Sequence, residues 1–257
     1  MSYLVVCAVA LLASMLTFFS GFGLGTLLLP AFALFFPVEQ AIAMTAVVHF
    51  LNALFKVLLV GRHADRGVVL RFGLPAIAAS VLGAWLLARL AASASTWSLD
   101  ILGHAFAVTP VKLVVGVLLL AFTLLELLPR FRGMAFDRRY LPSGGVLSGF
   151  FGGLSGMQGA LRSAFLARAG LDKAAFIGTG VLVAALVDLS RLGVYARGLD
   201  AAGHRLDYGL LAAAVLAAFA GALLGNRFLA KATMPGIQRL VAALLLLVAV
   251  GLITGML

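Results

Sequence analysis

The sequence has a single cysteine, Cys7, and little charge: 11% of its 257 residues are Asp, Glu, Lys or Arg, against 63% hydrophobic. One cysteine excludes an intrachain disulfide and a cysteine-cluster metal site. The histidines, His49, His63, His104 and His204, include no pair at zinc-ligand spacing. HExxH, a Walker lysine loop and GxSxG are all missing. GFGLGT has part of the outline of a dinucleotide fingerprint, but it follows no strand of a βαβ unit. Neither an enzyme nor a cofactor is therefore expected. A soluble domain carries about 25% charged residues. With so little, this chain cannot bury its apolar side chains in one core, and lipid contact is implied.

What is there is apolar length. Eight hydrophobic segments can be drawn, roughly 3–36, 38–60, 69–91, 107–129, 143–169, 172–195, 207–226 and 237–257. Most reach the roughly 20 residues that carry a helix across a bilayer. Apolar residues surround each segment, and none shows barrel-strand alternation. The expectation is an all-α, polytopic transmembrane bundle. The opening MSYLVVCAVALLASMLTF has no basic leader and reads as a retained first segment. The net charge of +10 sits mostly in short loops. It reads as orientation signals and lipid-headgroup contacts, not as a nucleic-acid surface.

Two segments are interrupted by glycine: SGFGLGTLLLP at 20–30 and SGFFGGLSGMQG at 148–159. Glycine permits turns and close backbone approach at a cost to helix continuity. The surroundings repeat too. VEQAIA at 38–43 parallels LDKAAF at 171–176, and GAWLLARL at 83–90 parallels GALLGNRF at 221–228. The chain thus reads as two four-segment repeats, 1–130 and 143–257, joined by a basic loop at 131–142. The first and fifth segments either cross or form re-entrant hairpins. With hairpins, Arg89, Lys112, Arg191, Arg197 and Arg205 lie outside and Arg62, Arg66, Arg71, Arg130, Arg132, Arg138, Arg139, Arg168, Lys173, Arg227, Lys231 and Arg239 inside. The loop charges lean that way without deciding it. Discontinuous helices of this kind surround substrate sites in transporters.

Polar residues inside apolar segments are the functional candidates, because lipid makes them costly. Thr45, His49, Asn52 and Lys56 fall at steps of four, three and four, on one helical face. Lys56 could instead snorkel to the headgroups. Gln158 and Arg162 follow the second glycine run, where helix-start N–H groups and a guanidinium would suit an anion. Asp188 could pair with Arg162 or with Arg191, three residues on. Ser20, Gly21, Gly23, Gly25 and Thr26 form the first break, Gly153 and Gly156 belong to the second, and Thr179 lies in GTGVL. Glu39 and Asp172 read as helix-start caps, and Tyr140, Tyr195 and Tyr208 as interfacial aromatics.

Taken together, SGFGLGTLLLPAFALFFPVEQAIAMTAVVHFLNALFKVLLVGR and LSGFFGGLSGMQGALRSAFLARAGLDKAAFIGTGVLVAALVDLSRLGVYARG resemble the sulfite exporter TauE/SafE family over nearly the whole chain. By that likeness Gly21, Gly23 and Gly25 match its first glycine motif, and Gly152, Gly153 and Gly156 its second. Leu24 and Met157-Gln158 depart from the small residues expected there. The resemblance implies a bacterial inner-membrane permease, often an exporter, for sulfite, sulfonates or related organic anions. An anion channel or a scaffold is the alternative. The expected partners are a small anion and membrane lipids, with proton coupling and self-association left open.

Overall fold

The computed structural model describes residues 1–20, 24–93, 95–101, 104–128, 134–202, 206–228 and 235–257. Gly21 and Gly23 lie outside the described residues, as does the side chain of Ser20. The helices are α1 (Ser2–Ser20), α2 (Leu24–Ala33), α3 (Val38–Val60), α4 (Arg66–Val68), α5 (Leu74–Ala91), α6 (Pro110–Leu127), α7 (Leu141–Ser155), α8 (Gly159–Leu166), α9 (Lys173–Ala202), α10 (Tyr208–Phe228) and α11 (Pro235–Thr254). A π turn, Val69–Gly73, joins α4 to α5.

Among the described residues, four helical stretches are long and apolar enough to cross a membrane: Val38–His63, Arg66–Ala91, Lys173–Arg197 and Tyr208–Gly225. This corrects the expectation of eight such segments in two four-segment repeats. The other apolar stretches, counted over described side chains, are shorter parts of α1, α2, α6 and α11: Ser2–Leu16, Leu24–Ala33, Pro110–Leu125 and Leu245–Thr254. The causes are local. The fifth apolar segment divides at Gly156, whose φ of +82° ends α7 in the left-handed region. The fourth loses its start to a strand, and α6 begins afresh at Pro110, where Thr109 Oγ1 accepts from Lys112 N. That strand also corrects the all-α expectation. β1 (Trp97–Ile101) and β2 (His104–Val108) form an antiparallel hairpin with Leu99 opposite Phe106.

Side-chain caps set several starts. Asp65 accepts from Val68 N at 2.8 Å, Asp172 from Ala175 N at 2.7 Å and Asp207 from Leu210 N at 2.9 Å. Glu39 does not cap α3. Pro37 holds the N-cap position, and Glu39 lies in the first turn.

The most extensive packing joins helices distant in sequence: α5 with α7, α1 with α10, α6 with α11, and α3 with α9. In the first two pairs, backbones touch. A Cβ at Gly149 or Gly153 would collide with the carbonyl oxygens of Ala76 and Ser80 in α5, and one at Gly221 with that of Leu11 in α1. Small residues are what allow such approach between apolar helices. The α3–α9 pair runs antiparallel. His49 meets Asp188, while Gly178 lies against the Val60 carbonyl at the other end.

Candidate functional site

The polar stripe of α3 turns inward. Thr45, His49, Asn52 and Lys56 are all buried. Lys56 therefore does not snorkel. Asn52 Oδ1 accepts from Ser14 Oγ of α1 at 3.1 Å, which orients its amide. His49 Nδ1 bonds Asp188 Oδ2 across the α3–α9 seam. A carboxylate can only accept, so the ring nitrogen facing it carries the hydrogen.

Asp188 has zero exposure and is well supplied with donors. Its Oδ1 accepts from Arg191 Nε at 2.9 Å and from Gln158 Nε2 at 3.3 Å. Arg191 Nη2 stands 2.8 Å from the same oxygen, completing an i,i+3 ion pair. Of the two partners open to Asp188 in the sequence, Arg191 is the one it takes, together with His49. Arg191 is fully buried, although its position in the sequence reads as the start of a basic loop. The reason is that α9 continues to Ala202, so Arg191 stands well inside a helix. Tyr195 is likewise buried, not interfacial, and its hydroxyl donates to the Gly153 carbonyl.

These α9 side chains hold the break between α7 and α8. Ser148 Oγ donates to the Gln158 carbonyl at 3.1 Å. Arg191 Nη1 lies 2.9 Å from where a Cβ on Gly156 would stand. Any larger residue there meets both a positive φ and a guanidinium. Across the break, Gly25 of α2 approaches: its Cβ position is 3.3 Å from the Gly156 carbonyl oxygen and 3.7 Å from His49 Cδ2. The two glycine motifs, separated by over a hundred residues, thus meet beside the histidine.

On the Lys56 side of the His49–Asp188 bridge lies a cavity of about 60 Å³. That is room for about two water molecules at roughly 30 Å³ each. Its polar wall is His49, Asn52, Lys56, Arg162 and Ser163, and its apolar wall includes Leu24, Phe176 and Val181. No carboxylate lines it among the described residues. Arg162 is buried, and its Nη1 has no hydrogen-bond partner among the described residues. A buried cation costs several kcal/mol unless it is paired.

The structure brings together His49, Asn52, Gln158, Arg162 and Asp188, with Gly25 packed beside His49 and Gly156 beside Arg191. It separates others. Thr179 Oγ1 accepts from Asp65 N at 2.9 Å, tying a turn instead of lining the cavity. Gly153 serves the α5–α7 contact, and Thr26 is buried in α2 away from the lining. Lys56, which the sequence left between the polar stripe and snorkelling, lines the cavity, and so does Ser163. Lys56 carried a signal in its spacing from Asn52, and Ser163 in its place directly after Arg162. Arg191 carried one in its spacing from Asp188.

Comparison with known proteins finds no match among curated proteins and none among solved structures. The family model described as sulfite exporter TauE/SafE matches residues 6–252. With nearly the full length matched, the chain belongs to the sulfite exporter TauE/SafE family and is a multi-pass membrane transporter of an anion, not an enzyme.

Proposed function

We propose that the protein is a secondary exporter, in a bacterial inner membrane, of sulfite, a sulfonate or a related small organic anion, and that the anion binds in the cavity at Arg162. One observation carries this reading: Arg162, a buried guanidinium with one nitrogen lacking a hydrogen-bond partner among the described residues, lines a cavity that also has Lys56 on its wall and no carboxylate among the described residues. An arginine fork suits the paired oxygens of a sulfonyl or carboxylate group. Asn52 and Ser163 supply neutral donors on the same wall. The cavity volume supports a headgroup of a few heavy atoms, and the apolar wall supports a short carbon tail.

Counterflow of labelled sulfite, sulfate and methanesulfonate in proteoliposomes tests the reading, with Arg162→Ala as the comparison. The wild-type protein is expected to exchange at least one of the three. Losing charge-assisted hydrogen bonds should slow Arg162→Ala on the order of 100-fold. Thermal unfolding in detergent checks that the variant is folded. No counterflow of any of these anions would sink the reading, and an unimpaired Arg162→Ala would remove the site. Currents at channel rates would make the protein a channel.

A further inference from the structure

We infer that His49 binds a proton whose affinity is linked to that of the anion, so that proton and anion cross the membrane together; this rests on the anion site proposed above. Histidine is the side chain suited to change charge near neutral pH. His49 holds a particular place, since its ring both bonds Asp188 and lines the cavity. With Nδ1–H given to the Asp188 carboxylate, Nε2 is left as the basic nitrogen of the ring. A proton taken up there makes an imidazolium whose counter-charge is already in contact.

The charges around the ring give the linkage its sign. Asp188 and Arg191 come from α9, Arg162 from α8 and Lys56 from α3 itself. Tyr195 adds a phenol beside Arg191. Toward His49, α1 contributes Ser14 through Asn52, and α2 contributes Gly25. Among its described side chains α10 has no ionisable group besides Tyr208, which is exposed at its start. Arg191 neutralises Asp188, so the protonated cluster carries one net positive charge. In the empty cavity the Arg162 guanidinium opposes that charge. An anion on Arg162 removes the opposition and attracts the imidazolium on the wall of the same cavity, within a low-dielectric interior. Proton and anion then strengthen each other's binding by the same factor. For a monoanion the loaded site gains no net charge. The direction of transport follows the summed gradients of the two species. Asp188 is the positioning residue, holding the tautomer and the ring.

The test carries forward whichever of the three labelled anions gives the fastest counterflow. Its apparent affinity is measured with full-length protein at equal pH on both membrane faces, from about pH 5 to pH 8. Affinity in the wild type is expected to fall about tenfold as pH rises. In His49→Gln the slope should be lost, whatever flux remains. The anion's own titration is common to both proteins, so the difference between the profiles belongs to His49. Equal slopes in the two proteins would overturn the inference. So would a wild-type slope no steeper than the anion's titration, which requires no variant. Flux without a His49-dependent slope sinks this inference alone, whereas absence of flux sinks the anion site beneath it.

Discussion

The α5–α7 and α3–α9 seams are both helix contacts in an apolar bundle, yet they are built in opposite ways. In the first, Gly149 and Gly153 let one backbone rest on another, and there is no room for an added methyl group. In the second, Ala53, Ala184 and Ala185 keep the helices near each other while His49, Asp188 and a cavity occupy the space between. The first seam is held by dispersion between matched surfaces. The second keeps charges inside the protein at considerable cost. Fixity and function thus lie in different parts of the bundle, and the seams should respond differently to substitution.

The largest effect on stability is expected at the polar seam. Asp188→Asn strips Arg191 of its counter-ion while leaving it fully buried. Breaking a buried pair from one side costs about 3–5 kcal/mol. Equilibrium unfolding in detergent should register that loss, and an unchanged midpoint would show that the bridge contributes little to the fold. Next comes the dry seam. Gly149→Ala forces α7 away from the Ala76 carbonyl, an overpacking cost of about 1–3 kcal/mol. Transport per folded molecule should survive, because the cavity lies elsewhere. Loss of transport at full stability would erase the contrast between the seams. The smallest effect belongs to Gly193, an exposed helical glycine with nothing within 4 Å of a built Cβ. Gly193→Ala should raise stability by up to about 1 kcal/mol through helix propensity alone. A marked loss would reveal a contact on that face of α9.

The sequence made some of this legible and concealed the rest for physical reasons. Membrane residence follows from composition. The inward stripe of α3 follows from the spacing of Thr45, His49, Asn52 and Lys56, because helical period alone puts them on one face. The left-handed end of α7 was signalled by a glycine run, although that run looked like a single feature. It is two: Gly149 and Gly153 serve close packing, and Gly156 serves the turn. Such roles cannot be separated without knowing what lies opposite. The His49–Asp188 bond joins residues 139 apart and depends on two helices running antiparallel. No local pattern encodes that. Span lengths misled because hydrophobicity continues through Gly156 and into β2, whereas helical geometry does not.

The long-range pairing of helices has a consequence for how the molecule is made. Translation delivers α1, α3, α5 and α6 before any of α7, α9, α10 and α11 exists, yet the principal packing partner of each early helix is one of the late ones. Until α9 arrives, His49, Asn52 and Lys56 have neither Asp188 nor the far wall of their cavity to turn toward. The nascent first half must therefore wait, held by the insertion machinery or by transient contacts. Asp188 and Arg191 arrive on the same helix, so the carboxylate that His49 needs comes with its own guanidinium partner.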